Sequence, residues 1–192
     1  MNNHELWCSK GHFNLNQAMY INSLSLTQNP KYVLETGFCT GRSSLSVLLN
    51  CDTIEKFVNI DINYNYMKPH GKLMLDKFIK NFPQFKYYEK DSNIFLTEKF
   101  IKEEFPNGID WFTVDGDHTY KGCLHDLTTS LPYMNKGGII IVDDYMSGPP
   151  DGAHIPEVTN ACNHFFKLNS NRLNKKSWYN NGKGFCVFLI NN

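Results

Sequence analysis

The sequence predicts an α/β fold in which helices cover both faces of a doubly wound, mainly parallel sheet. Short apolar runs of strand length alternate with segments of helical periodicity from residue 30 onward. Parallel neighbours need a crossover connection, and such crossovers are right-handed, so the alternation places helices on both sides of a parallel sheet. With 192 residues the chain is most simply one domain, with a helical segment at residues 1–29 before the sheet domain at residues 30–192.

The predicted strands are short apolar runs that end in polar or turn-forming residues. Five of them are expected to be parallel and lie at residues 31–37, 56–62, 85–92, 109–117 and 136–145. The chain ends in a predicted hairpin, residues 176–180 and 184–190, joined by a turn at Asn180-Asn181-Gly182. The expected architecture is therefore a Rossmann-like sheet with an antiparallel C-terminal strand.

Between these runs, apolar residues recur at helical spacing. Leu75, Phe78, Ile79 and Phe82 stand at i, i+3, i+4 and i+7, which is the pattern of a helix with one buried face. Helices are expected at residues 43–50, 67–82, 93–105, 119–134 and 156–168. Residues 146–156 contain three prolines and two glycines and predict a loop.

Composition argues against several classes of partner and location. Lys+Arg and Asp+Glu are equal at 19 each, and no basic stripe appears, so neither nucleic acid nor a membrane surface is favoured as a partner. The first residues lack the order of a signal peptide, and no apolar run approaches the ~20 residues that span a bilayer. Six scattered cysteines without CxxC or zinc spacing suit a reducing compartment. We expect a soluble, cytoplasmic protein.

Acids gather at the ends of the fourth and fifth predicted strands. They are Asp115, Asp117, Asp143 and Asp144, and His118 stands beside them. Ligands of parallel sheets bind outside the carboxyl ends of the strands, so these side chains should meet in one crevice. Converging carboxylates repel one another unless a proton or a metal ion lies among them.

The first three strand ends carry features of a nucleoside site. Gly37 and Gly41 let the backbone turn tightly, but their spacing differs from the G-x-G-x-x-G of dinucleotide sites. Glu35 would repel a pyrophosphate and suits an amine-bearing cation, and Asp61 can accept ribose hydroxyls. A ligand with positive charge, ribose and base but no phosphate is S-adenosylmethionine (SAM). The predicted cofactor-binding residues are Glu35, Thr36, Gly37, Cys39, Gly41, Ser43, Asp61, Asp91, Ser92 and Asp115.

These motifs together resemble the class I SAM-dependent methyltransferases. Within that class the chain looks most like the small metal-dependent O-methyltransferase group of macrolide-sugar and cephalosporin-pathway enzymes. The likeness covers about residues 30–190 and rests on residues 35–41, Asp61, Asp91-Ser92, the DGDHTY run at 115–120, Asp126 and the GGIIIVDDY run at 137–145.

The resemblance implies a divalent cation bound by one acid after the fourth strand and an acid pair after the fifth, here Asp115, Asp143 and Asp144. An all-oxygen set suits Mg²⁺, or Mn²⁺ or Ca²⁺, better than zinc. It also implies that His118 acts as the base, and the ordinary histidine pKa of ~6.5 would let it accept a proton at neutral pH. Asp115 and His118 are therefore the predicted catalytic residues. The implied reaction methylates a hydroxyl of a small molecule, for example a sugar or a catechol.

Other functions remain open at this point. One is a metal-independent methyltransferase with a different acceptor, and another is a carboxylate-metal hydrolase built on D-x-D-H, which would leave Asp61 and residues 35–41 unexplained. An NAD(P)-dependent oxidoreductase is disfavoured by the glycine spacing. A non-catalytic module could keep the nucleotide pocket alone. The apolar run at 184–190 and the N-terminal helices could also support a homodimer.

Overall fold

The centre of the protein is a seven-stranded sheet. A computed structural model describes residues 12–49, 51–62 and 70–191. Its strands are Tyr32–Thr36 (β1), Lys56–Asp61 (β2), Phe85–Glu89 (β3), Ile109–Val114 (β4), Met134–Val142 (β5), Leu173–Asn180 (β6) and Lys183–Ile190 (β7).

Helices connect the strands and also precede the sheet. In the described part of the chain they are Leu15–Gln28 (α1), Arg42–Leu48 (α2), His70–Asn81 (α3), Ser92–Phe95 (α4), Glu98–Glu104 (α5), Tyr120–Ser130 (α6) and Pro156–Asn169 (α7). A 3-10 turn at Leu131–Tyr133 leads from α6 into β5.

The strand order is β3-β2-β1-β4-β5-β7-β6. The first five strands are parallel, and β7 pairs antiparallel with both β5 and β6. Asn181 and Gly182 form the two-residue turn of the hairpin with φ of 48° and 85°, because this tight connection needs left-handed residues at both positions. The predicted mixed sheet with an antiparallel C-terminal strand is confirmed.

Alternate strand residues pack against helices on opposite faces of the sheet. Val33 and Trp111 point to the face covered by α1, α2 and α3, whereas Leu34 and Phe112 point to the face covered by the helices from α5 to α7. All four side chains have no exposed surface. The strands that carry the site are thus buried on both faces, as a parallel sheet requires.

Two predicted helices differ in extent from those observed, and a third is described only in part. The helix expected at residues 93–105 is divided, because the Thr97 side chain accepts a hydrogen bond from the Phe100 N–H at 3.2 Å and starts α5 anew. The helix expected at 119–134 ends at Ser130, and the 3-10 turn with Pro132 follows. Of the helix expected at 67–82, residues 67–69 lie outside the described residues.

The N-terminal segment contains one described helix, α1, and residues 1–11 of the predicted segment lie outside the described residues. The division at residue 30 stays a prediction. The five cysteines that the structure describes are all free. No described helix has the length and apolar character needed to cross a membrane.

Gly37 joins two strand ends at a distance that no other residue permits. A Cβ built at this position would lie 2.0 Å from the carbonyl oxygen of Asp115, and the backbone has φ of +88°. Gly137 also has a left-handed φ, +78°, but a Cβ there would meet nothing within 4 Å. Comparing alanine substitutions at Gly37 and Gly137 therefore separates the destabilisation caused by the steric clash from that caused by the left-handed backbone.

We expect Gly137→Ala to lower the free energy of unfolding by about 1–2 kcal/mol, the cost of a left-handed alanine. Gly37→Ala should lower it by more than about 3 kcal/mol, because the strand ends must also separate. Urea denaturation of both variants measures the difference. Equal losses would mean that the loop moves away from Asp115 without cost.

Candidate active site

The carboxyl ends of β1, β4 and β5 are level with one another. Thr36 pairs with Val114, and Val114 pairs with Val142. The pairing continues one residue further, because the Asp143 N–H donates to the Val114 carbonyl at 3.0 Å. Asp115 and Asp143 are therefore held side by side at one edge of the sheet.

Asp115, His118 and Asp144 form a compact cluster. Each offers one ligand atom, and these atoms all lie within 4.8 Å of one another. His118 Nε2 lies 3.4 Å from Asp115 Oδ1 and 3.5 Å from Asp144 Oδ2, so the imidazole bridges the two acids. Two carboxylates and one imidazole are a donor set that can hold a divalent cation.

Asp143 lies behind this cluster and contacts the protein interior. Its Oδ1 accepts one hydrogen bond from Gln17 Nε2 at 2.9 Å and another from the Asp144 N–H at 2.8 Å. The predicted metal set of Asp115, Asp143 and Asp144 is gathered at one strand edge, yet the group of close ligand atoms contains His118 and not Asp143. Direct metal ligation by Asp143 stays a prediction.

Burial and mutual repulsion define the charge state of the cluster. Burial raises the pKa of Asp143 well above its ordinary value and also raises that of Asp144, and the charge of Asp115 adds to both shifts. The hydrogen bond to Asp115 raises the pKa of His118 to about 9, with further contributions from the charges of the three acids. Without a bound cation His118 is thus an imidazolium at neutral pH, and the expected ordinary pKa is wrong for this state.

Two residues that face the acid pair were missed from the sequence. Gln17 in α1 is fully buried and holds Asp143. Lys183 at the start of β7 is 8% exposed, and its charge lowers the pKa of both Asp143 and Asp144. The Asn14-x-x-Gln17 pattern indicates the start of a helix, but no local pattern indicates a contact with acids far along the chain.

Glu35 and Ser43 lie beneath the glycine loop. Glu35 is fully buried, and its two oxygens accept hydrogen bonds from Ser43 Oγ at 2.6 Å, from Asn59 Nδ2 at 2.8 Å and from Ser44 Oγ. Burial raises the pKa of Glu35 to about 7. Its oxygens thus brace the start of α2 and the centre of β2, and contact with a cofactor stays a prediction.

The glycine loop has a left-handed backbone at every second residue. The φ angles are 88° at Gly37, 50° at Cys39 and 73° at Gly41. Asp61 Oδ2 accepts hydrogen bonds from the N–H groups of Phe38, at 2.5 Å, and Cys39, at 3.1 Å. The acid at the end of β2 therefore holds the loop that follows β1, so two of the predicted cofactor-binding segments are in direct contact.

Asp91 and Ser92 lie at the start of α4, beside the other strand ends. Asp91 Oδ1 accepts a hydrogen bond from the Asn93 N–H at 2.9 Å and caps the helix. Ser92 Oγ donates to Asp126 Oδ2 at 3.4 Å, and burial raises the pKa of Asp126 to about 6.

Thr36, at the end of β1, is fully buried, and its carbonyl accepts a hydrogen bond from the Asp115 N–H at 2.9 Å. The predicted site residues thus lie at or just after the carboxyl ends of the parallel strands, except Ser43, which lies in α2.

The sequence matches a known family over more than half of its length. Residues 34–145 match a family model described as a methyltransferase domain. A stretch of 83 residues is 39% identical to an uncharacterized protein of Acanthamoeba polyphaga mimivirus. That match covers 43% of this chain and 34% of the relative, so it spans about a third of the relative's length.

Solved structures of methyltransferases share the fold over nearly the whole chain. An O-methyltransferase from Bacillus cereus, solved in complex with S-adenosylhomocysteine (SAH), has a TM-score of 0.68 at 13% identity, with 98% of this chain and 86% of that chain covered. An O-methyltransferase from Streptomyces achromogenes involved in tomaymycin synthesis, solved with SAM, has a TM-score of 0.70 at 14% identity, with coverages of 93% and 81%. At these identities the likeness establishes the fold.

The raised pKa of His118 predicts a pH-dependent contribution to stability. The pKa in the folded state, about 9, lies above the ordinary value of 6.5. The contribution is therefore complete below pH 6.5 and is lost as pH rises through 9. In EDTA, the difference in Tm between the wild type and His118→Gln should shrink steadily over this interval. A difference that stays constant with pH would contradict the bridging imidazolium.

Proposed function

The chain belongs to the methyltransferase-domain family, and from this premise we propose that it transfers a methyl group from SAM to a hydroxyl of a small molecule. The observation that carries the proposal is the arrangement of one sheet edge. Gly37 of the glycine loop lies against the backbone of Asp115, which belongs to the cluster with His118 and Asp144, and Asp61 at the end of β2 holds the same loop. A donor site and an acceptor site would thus be neighbours.

The first three strand ends suit the parts of SAM. The left-handed backbone at Gly37, Cys39 and Gly41 would allow a ligand to approach the loop closely. We propose that Asp61 binds the ribose and that Asp91 and Ser92 contact the base. SAM supplies an electrophilic methyl group on a sulfonium. The protein's task is then to align an acceptor oxygen with that carbon, and alignment of reactants can contribute about 7–11 kcal/mol to lowering the barrier.

We further propose a divalent cation held by Asp115 and Asp144. Their carboxylates face one another across His118, whereas Asp143 is turned toward Gln17. Burial, and after it the charge of Asp115, raises the pKa of both Asp143 and Asp144, and a bound cation would oppose this shift. A cation such as Mg²⁺ or Mn²⁺ would lower the pKa of an acceptor hydroxyl and orient it.

His118 is the proposed base. In the absence of a cation it keeps its proton because three acids surround it. A second positive charge between Asp115 and Asp144 would disfavour the imidazolium, and the neutral Nε2 could then accept the proton of the acceptor hydroxyl. Cation binding and readiness of the base are therefore linked through the same two carboxylates.

A metal-independent methyltransferase is the second candidate. The observation in its favour is that His118 and Lys183 already bring positive charge to the acids. Turnover that persists in excess EDTA would favour it. The hydrolase and oxidoreductase alternatives account for neither the family match nor the shape of the glycine loop.

The acceptor is proposed to be a small molecule with two adjacent hydroxyls, such as a sugar or a catechol, because two hydroxyl oxygens could occupy two cation positions. Residues 143–155 contain no helix or strand and border the acids, so they would contribute to the choice of acceptor. Cytoplasmic location and a homodimer stay predictions.

Titration calorimetry should detect micromolar binding of both SAM and SAH. NADH serves as the control and should not bind, because the loop lacks the dinucleotide spacing. Absence of SAM and SAH binding, with the protein shown to be folded by circular dichroism, would contradict the proposed methyl donor.

Asp144→Asn should lower cation-stimulated turnover at least about tenfold, since one of two charged ligands is lost. SAH affinity should stay unchanged, because Asp144 is not among the proposed cofactor-binding residues. Glu103→Gln is the matched control, as Glu103 is an exposed acid on α5 whose partner is Lys99. Equal responses of turnover to Mg²⁺ in the wild type and Asp144→Asn would remove Asp144 from the cation site.

A further inference from the structure

Gln17 is a buried amide whose two ends are both engaged. Its Oε1 accepts a hydrogen bond from the Asn14 N–H at 2.9 Å, and its Nε2 donates to Asp143 Oδ1 at 2.9 Å. Rotating the amide by half a turn would place Oε1 against a carboxylate and Nε2 against an N–H donor, so both partners select the same orientation. The side chain has no exposed surface.

Asp143 passes this restraint on to its neighbour. The oxygen that accepts from Gln17 also accepts the N–H of Asp144 at 2.8 Å. Asp144 has φ of 57°, a left-handed conformation that is uncommon for residues other than glycine. On the other side, Ser147 Oγ donates to the Asp144 carbonyl at 3.0 Å. Hydrogen bonds to both the N–H and the carbonyl of Asp144 thus hold its backbone.

We propose that Gln17 is a positioning residue for the cation site, which acts through Asp143 to orient Asp144. The inference rests on the cation of the proposed function. It assigns a role in the site to α1, a helix that carries none of the site motifs. It also explains why Asp143 is directed inward: its carboxylate oxygen serves Gln17 and the backbone of Asp144.

Loss of the Gln17 donor has a definite consequence. Asp143 would remain buried with one hydrogen bond fewer. Because a buried acceptor without a donor is unfavourable, its carboxylate would reorient toward another donor. Any rotation of its carboxylate releases the Asp144 N–H as well, because both donors share Oδ1. Asp144 would then lose its restraint, and the cation affinity would fall, while the glycine loop on the other side of Asp115 would be unaffected.

The experiment measures Mn²⁺ affinity by calorimetry in wild type, Gln17→Leu, Gln17→Glu and Asn14→Ala. Asn14→Ala is the matched control, since it removes the side-chain cap that accepts the Gln17 N–H at 3.0 Å but leaves Gln17 and Asp143 in contact. SAH affinity is measured in parallel as evidence of a folded site.

Both Gln17 variants should bind Mn²⁺ at least about tenfold more weakly than wild type, as expected when a residue that orients a metal ligand is lost. Their SAH affinity should stay within about twofold, and Asn14→Ala should change neither affinity. Unchanged Mn²⁺ affinity in Gln17→Leu would overturn the inference alone. An equal loss in Asn14→Ala would also overturn it, because the effect would then be one of helix stability. Wild-type protein that binds SAH but no Mn²⁺ would overturn the proposed cation and this inference together.

Discussion

The close approach of the Gly37 backbone to the Asp115 carbonyl is the contact on which the site depends. Only a residue without a side chain fits there. Strand β2 also holds the backbone of Gly37 through two hydrogen bonds: the Gly37 N–H donates to the Ile60 carbonyl at 2.9 Å, and the Gly37 carbonyl accepts from the Asn59 side chain at 2.9 Å. The loop after β1 and the acid after β4 are therefore placed as one unit. Separation of these strand ends would move the proposed donor site away from the proposed acceptor site.

The acid cluster is tolerated because the fold supplies it with protons, donors and positive charge. Burial and the charge of Asp115 make the ionised forms of Asp143 and Asp144 unfavourable and raise the pKa of both acids. The raised pKa of His118 has the opposite origin, because its hydrogen bond to Asp115 and the charges of the acids stabilise the imidazolium. Lys183 and Gln17 favour the ionised form of Asp143, the first by its charge and the second by its hydrogen bond. Burial and the neighbouring charges thus shift both acids toward their neutral forms, and a bound cation would oppose that shift.

Much of the fold, and the position of the acids at the strand ends, could be predicted from local patterns. The apolar runs that end in Asp115 and Asp143 are strands, and parallel strands bring their carboxyl ends to one edge wherever the intervening helices lie. The break at Thr97 between α4 and α5 was not predicted, because both halves share one apolar periodicity and the cap became decisive only in the folded structure.

Local pattern was therefore sufficient for the α/β class, the strand-end acids and the likeness to methyltransferases, since each is encoded within a few neighbouring residues. It was insufficient for the different contacts of Asp143 and Asp144 and for the raised pKa of His118. Gln17 contacts Asp143 although 126 positions of the chain separate them, and Lys183 belongs to the C-terminal hairpin. Such contacts form only when the chain folds, because they join segments that are far apart in the sequence and share no local pattern. The burial that shifts a pKa likewise exists only in the folded protein.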